Sequence, residues 1–149
     1  MTEGVHEASP QYTYRHTVEA RVRAEAVWAT YEDVTSWPVW EPGTEKITRD
    51  GPLVMGATGT FKFTGKSPLA YWLSEVEPMR AFTDEISFGE LLVRVSHLLE
   101  PGDDGRLRIT HAAEIFGPPA LAAEVGPTIT ADFPQSMVAL VAYAAANYS

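Results

Sequence analysis

The chain has 149 residues, 45% hydrophobic and 21% charged, with 11 basic and 20 acidic side chains for a net charge of −9. These proportions suit one folded domain and argue against disorder, and the acidic balance disfavours nucleic acid or an anionic membrane as a partner, since both need a basic surface. The absence of cysteine excludes disulfides, zinc–thiolate sites and thiol nucleophiles.

Residues 1–11 are polar and acidic and read as a flexible arm with no signal peptide, leaving 12–149 as a single domain. Nothing approaches the roughly 18 apolar residues of a membrane span, so a cytoplasmic location is expected. From Tyr12 to Val22 the chain alternates, with Tyr12, Tyr14, His16, Val18, Ala20 and Val22 on one face, which predicts a half-buried strand. The spacing then turns helical over residues 24–31. A second short helix is expected within 33–42, where Pro38 suits a first turn. Further strands are expected at 46–49, 58–64, 69–76, 82–88, 91–99 and 107–115, the last two joined by the hairpin signal at 101–105. Arg21, Arg23, Arg94, Arg106 and Arg108 alternate with apolar residues and are expected to face solvent. So are Glu41, Glu45 and Glu75.

The segment from Leu121 onward carries two helical signals separated by Gly126 and Pro127. The longer, 128–148, repeats Ile129, Phe133, Met137, Leu140, Ala144 and Tyr148 at three- and four-residue spacing. Thr128 or Thr130 suits its cap, and Pro134 either kinks it or marks its true first turn. The proline-rich run at 117–126 is either a hinge at a cavity mouth or a plain corner. The order of one strand, two short helices, six strands and a long helix gives an α+β fold. Its curled antiparallel sheet holds the terminal helix in the concave side.

Several stretches carry a resemblance. They are Arg23-Ala-Glu-Ala-Val-Trp28, Asp33-Val-Thr-Ser-Trp-Pro-Val-Trp40, Gly56 and Gly59 followed by Val76-Glu-Pro-Met-Arg-Ala-Phe82, and Thr110-His-Ala-Ala-Glu-Ile-Phe-Gly-Pro118. Together they resemble the START-related helix-grip superfamily, in its bacterial polyketide cyclase/dehydrase and lipid-transport branch. The resemblance implies a seven-stranded sheet wrapped around a long C-terminal helix with a cavity between them. Its members include aromatase/cyclases, hydrophobic-ligand carriers, hormone-binding relatives and co-chaperones, among which the fold does not choose.

By alternation His16, His97 and His111 all point inward, and the hairpin makes His97 and His111 neighbours. The resembling fold pairs first and last strands, which brings His16 to His111. Histidines there suit a proton acceptor near neutral pH, with Tyr14 beside them, or are simply satisfied by tyrosine hydroxyls. No carboxylate stands in a metal-ligand motif with them, so no metal site and no cofactor are expected. Asp84 shares the phase of Phe82, Ile86 and Phe88. It is either an inward carboxyl needing a partner, or Phe82, Ile86 and Phe88 cover the outside beneath the first helices, or a bulge resets the phase; the structural reading is preferred. Ligand contacts are expected from Trp37, Trp40, Phe61, Phe63, Tyr71, Val95, Ile109, Phe133, Met137 and Leu140. Trp37 and Trp40 alternatively pack the short helices. The expected function is binding of a small hydrophobic or aromatic molecule between sheet and C-terminal helix, and the alternative is a cyclase/aromatase using His and Tyr as acid and base. The sheet edge or the short helices also offer a surface for a homodimer.

Overall fold

The computed structural model describes residues 9–148. Most of the expected N-terminal arm, residues 1–8, lies outside the described residues; Gln11 already donates its amide to the Ile115 carbonyl at 2.8 Å. The elements are β1 (Tyr12–Ala20), α1 (Ala24–Glu32), a 3-10 turn (Val34–Ser36), α2 (Trp37–Trp40), β2 (Thr44–Arg49), β3 (Thr58–Phe63), β4 (Leu69–Glu77), β5 (Ala81–Phe88), β6 (Leu91–Pro101), β7 (Leu107–Phe116), α3 (Pro119–Thr130) and α4 (Phe133–Tyr148). The seven strands form one antiparallel sheet in the order β1-β7-β6-β5-β4-β3-β2. Every strand from β2 onward therefore pairs with its successor, and β1 is carried to the far edge by the helical connection.

Local chemistry explains that connection. The Asp33 carboxylate accepts the Thr35 amide at 3.1 Å and starts the 3-10 turn. The Ser36 hydroxyl donates to the Thr30 carbonyl at 2.9 Å and accepts the Trp40 indole N–H at 3.1 Å. The Trp37 indole donates to the Tyr31 carbonyl at 3.1 Å. Pro38, in the first turn of α2, has no N–H to leave unpaired. Each polar atom that this turn buries thus has a partner, which lets Tyr31, Trp37 and Trp40 be buried together.

The C-terminal helix is long but bent, and the bend is not where the sequence suggests. Gly126 and Pro127 lie inside α3, and the interruption falls at residues 131–132. Pro134 is the cause: without an N–H it cannot bond the Thr130 carbonyl, so the ladder breaks there and Pro134 occupies the first turn of α4. Thr130 is not the cap of the second helix. Its hydroxyl bonds back to the Gly126 carbonyl at 3.1 Å and meets the Tyr12 hydroxyl at 3.0 Å. Of the run 117–126, only Gly117 and Pro118 form the corner from β7; Pro119 onward is already helix α3.

Apolar residues separate into two cores. The main one lies on the concave face beneath α1, α2 and α4, and includes Val27, Trp28, Tyr31, Phe82, Ile109, Met137 and Leu140. A smaller one beneath α3 holds Leu91, Val93, Ile115 and Ala122. Gly126 belongs to this second contact: a Cβ built there falls 2.5 Å from Cγ of Tyr12. In an ordinary helix interior Gly→Ala gains about 1 kcal/mol. Here Gly126→Ala is expected to lose about 1–3 kcal/mol, because the Tyr12 ring has to move. Urea unfolding of the variant checks this, and a midpoint at or above wild type would show that the ring does not press on the helix.

Candidate functional site

Phe82, His97, His111 and His16 lie side by side across β5, β6, β7 and β1, each directly opposite the next. This row crosses the concave face. The Phe82 ring stacks flat on His97, centroids 4.0 Å apart and 7° from parallel. The His97 and His111 rings meet edge-on at 4.6 Å. Tyr31 descends from α1 onto the row, its hydroxyl 2.8 Å from Nε2 of His111. His97 and His111 are buried, whereas His16 is half-buried towards the β1 edge. Among the described residues no three His, Cys, Asp or Glu side chains are grouped to hold a metal ion.

Two residues from Phe82 along β5, Asp84 also points inward. It is 4% exposed, and Oδ2 lies 4.0 Å from Nε2 of His97. A bulge in β4 between Leu73 and Glu75 falls across from Asp84 and Thr83. Burial, followed by the charges of Glu41 and Glu85, pushes the Asp84 carboxyl up to about 8. Burial lowers His97 to about 3, partly offset by its contact with the Phe82 carbonyl. That carbonyl lies 3.2 Å from Nδ1 and can only accept, so Nδ1 carries the proton and Nε2 turns its lone pair toward Asp84. His111 is lowered by burial and then by the other two histidines. Burial, then Glu41, raises Tyr31. At neutral pH Asp84, His97, His111 and Tyr31 are therefore all uncharged, and the Asp84–His97 contact is not an ion pair.

A cavity of about 10 Å³, the size of one water, lies beside Asp84. Its walls are Tyr31, Val34, Trp37, Ile47, Arg49, Leu53, Phe61, Tyr71, Leu73 and Phe82. This differs from the expected position. No residue of α4 lines the cavity, which lies instead between the β2–β5 half of the sheet and the short helices. Met137 and Leu140 are fully buried and Phe133 nearly so, filling the space between α4 and the sheet. Of the expected contacts, Trp37, Phe61 and Tyr71 line the cavity. Phe63 stacks on Phe61 at 5.6 Å, and Trp40 lies 4.6 Å from Trp37. Ile109 is in the main core, and Val95 packs against the smaller one. Tyr14 packs edge-on against Phe133 at 5.6 Å, so it is not part of the cavity wall.

Two charge expectations change. Glu41 is half-buried rather than solvated; burial and then Asp132 raise its carboxyl to about 7, against the pull of the nearby Ser136 hydroxyl. Arg94 is held on the outer face between Glu85 at 3.2 Å and Glu114 at 3.3 Å, over the Phe116 ring.

The chain matches the model of the polyketide cyclase/dehydrase and lipid-transport family over residues 11–145. It belongs to that family. Solved structures share the helix-grip fold. Norcoclaurine synthase from Thalictrum flavum is 16% identical with a TM-score of 0.72, over 93% of this chain and 88% of that one. A hypothetical protein of Helicobacter pylori is 18% identical at a TM-score of 0.75, over 97% and 94%. A Mesorhizobium loti protein is 16% identical at 0.73, over 93% and 100%. At these identities the likeness is one of fold. No curated protein sequence matches the chain. Relatives of this family include ligand-binding and biosynthetic proteins, and no helix of the described residues is long and apolar enough to cross a membrane.

The residue that the sequence reading left out of the site is Asp84, although its shared phase with Phe82 and Ile86 was the available signal. Its proton has a measurable consequence. The folded state keeps the proton up to about pH 8, whereas an ordinary aspartate releases it near 3.8. Stability from this group is thus full below the lower value and lost as pH rises toward the upper. Glu41 acts in the same sense up to about 7, and His97 in the opposite sense, losing stability as pH falls from 6.5 toward about 3. Asp84→Asn is therefore expected to gain stability relative to wild type between pH 5 and pH 8, by up to about 1.4 kcal/mol per pH unit. Urea midpoints at the two pH values test this; parallel curves for the two proteins would mean that Asp84 is ionised in the fold.

Proposed function

We propose that this protein binds a small hydrophobic or aromatic molecule in the pocket bounded by Tyr31, Trp37, Phe61, Tyr71 and Phe82. The observation that carries the reading is the composition of that wall: aromatic and aliphatic side chains converge on one buried carboxyl, Asp84. Family membership supports the same class of ligand. The existing space admits one water-sized group, so a larger molecule enters by displacing wall residues. Leu53, in the connection between β2 and β3, and Trp37, on the one-turn α2, are the wall residues on the shortest supports. Beneath α4, by contrast, buried Met137, Leu140 and Phe133 occupy the interior.

A second reading is acid–base catalysis of the cyclase/aromatase kind in the same place. Its specific support is the juxtaposition of Asp84 and His97. A neutral carboxylic acid can donate a proton while the adjacent neutral imidazole nitrogen accepts one, inside an apolar wall and without a cofactor. His111 and Tyr31 extend this set across the sheet, and in this reading His16 and Tyr14 take no direct part.

Native mass spectrometry of the purified protein, followed by denaturing extraction, identifies any retained molecule and its chemical class. Titration with the uncharged dye N-phenyl-1-naphthylamine then locates the site. Leu53→Trp is expected to fill the mouth and weaken dye binding about tenfold or more, with stability changed by less than about 1–3 kcal/mol. Unaltered dye binding in a folded Leu53→Trp protein would place the ligand elsewhere, for instance beneath α4.

A further inference from the structure

Asp84 is costly where it stands, and the fold does not account for it. Its register partners on the two adjacent strands are Leu73 and Val95, both apolar. Among the described residues no hydrogen bond to its carboxyl is seen; Nε2 of His97 lies 4.0 Å away, and Tyr71, Glu41 and Glu85 are near enough to interact with it electrostatically. A buried carboxyl without a donor or a cation is normally replaced by an apolar side chain or given a partner. His97 does not serve as that cation: although the Phe82 carbonyl at Nδ1 favours protonation, burial outweighs it and keeps the ring neutral. The protein thus supplies an acid and withholds its counter-charge.

We propose that the base of the pocket at Asp84 receives the ammonium head of a small organic amine, whose carbon skeleton runs between the aromatic walls toward half-exposed Val34 and Arg49. This rests on the pocket being a ligand site, as proposed above, and specifies what the ligand carries. Three features fit a cation. The cavity beside Asp84, about 10 Å³, matches a group the size of water, which an ammonium is. Five rings, those of Tyr31, Trp37, Phe61, Tyr71 and Phe82, line it, and a ring that turns its π face to the space attracts a bound cation. Glu41 and Glu85 both bear negatively on Asp84, and a cation relieves that repulsion where a neutral ligand cannot. Arg49 is the opposing charge on the wall, but its guanidinium donates to the Gly51 and Glu32 carbonyls at 2.9 and 2.8 Å. It therefore sits at the rim while Asp84 sits at the base.

The proton balance is simple. Free, the site holds Asp84 protonated at neutral pH; bound, it holds a carboxylate against an ammonium that arrives already charged. Binding at pH 7 therefore releases close to one proton to solvent, and affinity for the amine rises between pH 6 and 8. Of the groups facing the site, Tyr31, Tyr71, His97 and His111 keep one charge state through that window, whereas Glu41 titrates within it; Arg49 and, from the outer face, Glu85 are the other charged groups near it. The part of the rise that vanishes in Asp84→Asn is the part due to Asp84.

The test is a matched pair of ligands of one shape, 2-phenylethylamine and 2-phenylethanol, titrated calorimetrically into the full chain beside the neutral dye. Wild type is expected to bind the amine about tenfold or more tightly than the alcohol. It should release about one proton at pH 7, read from two buffers of different ionisation enthalpy. Asp84→Asn, and Asp84→Leu as a second variant, are expected to abolish that preference and the proton release. Equal affinity for the two ligands, tighter binding of the alcohol, or a preference that survives both variants overturns the amine assignment and leaves the pocket intact. Failure of the dye and both ligands to bind overturns the pocket itself, and the assignment with it.

Discussion

The bond between the Tyr31 hydroxyl and His111 is the tie on which the other contacts of this half of the molecule depend. It fixes α1 to β7, the strand beside the β1 edge of the sheet, and is 2.8 Å long and fully enclosed. The same residue holds the next element, because its carbonyl takes the Trp37 indole. Its ring lies edge-on to Trp28, Trp40 and Phe82. The net worth of such a hydrogen bond is about 1 kcal/mol, but removing one partner strands a buried polar group at about 1–3 kcal/mol. Position and electrostatics are coupled here: the contact that anchors α1 also helps seal His97 and His111 from water, and that burial keeps both neutral.

Consecutive residues of β5 show how completely a sheet separates its faces. Asp84 and Glu85 are both buried, yet they meet opposite circumstances. On the outer face Glu85 has Arg94 at 3.2 Å, which in turn reaches Glu114 and covers Phe116, although Oε1 of Glu85 remains without a partner. On the inner face Asp84 has aromatic rings and a neutral imidazole. One carboxylate is built into an ion network of the surface; the other is left as a proton carrier inside an apolar wall.

The sheet and the histidine row were readable because both follow from period two. Once the hairpin at 101–105 makes β6 and β7 neighbours, the alternation of Val95, His97 and Leu99 against Ile109, His111 and Ala113 places the two histidines face to face. The bend in the last helix was half-readable. Pro134 was visible as a breaker, but Gly126 and Pro127 resembled a stronger one. They lie inside α3, where Gly126 leaves room for the Tyr12 ring, a contact 114 residues away in the chain that no local pattern reports. The position of the cavity was not readable either. It depends on which large side chains fill the space, and Met137, Leu140 and Phe133 fill the side beneath α4 while Leu53 and Arg49, from an irregular stretch and a strand end, border the other. Glu41 looked like a surface charge because the groups that act on it, Asp132 and Ser136, lie far along the chain near the bend of the C-terminal helix.

The two separate cores carry a consequence for how the molecule comes apart. Helix α3 closes over Leu91, Val93, Ile115 and Ala122, whereas α4 shares the large core with α1 and α2. The interruption at residues 131–132 breaks the backbone ladder between them, so strain in one rod is weakly passed to the other. Lifting α3 exposes only the small core and leaves the Tyr31–His111 tie untouched. The chain is therefore a two-tier cooperative unit, with amides of α3 exchanging by a cheaper opening than those of β5, β6 and β7, whose exposure requires losing the whole fold.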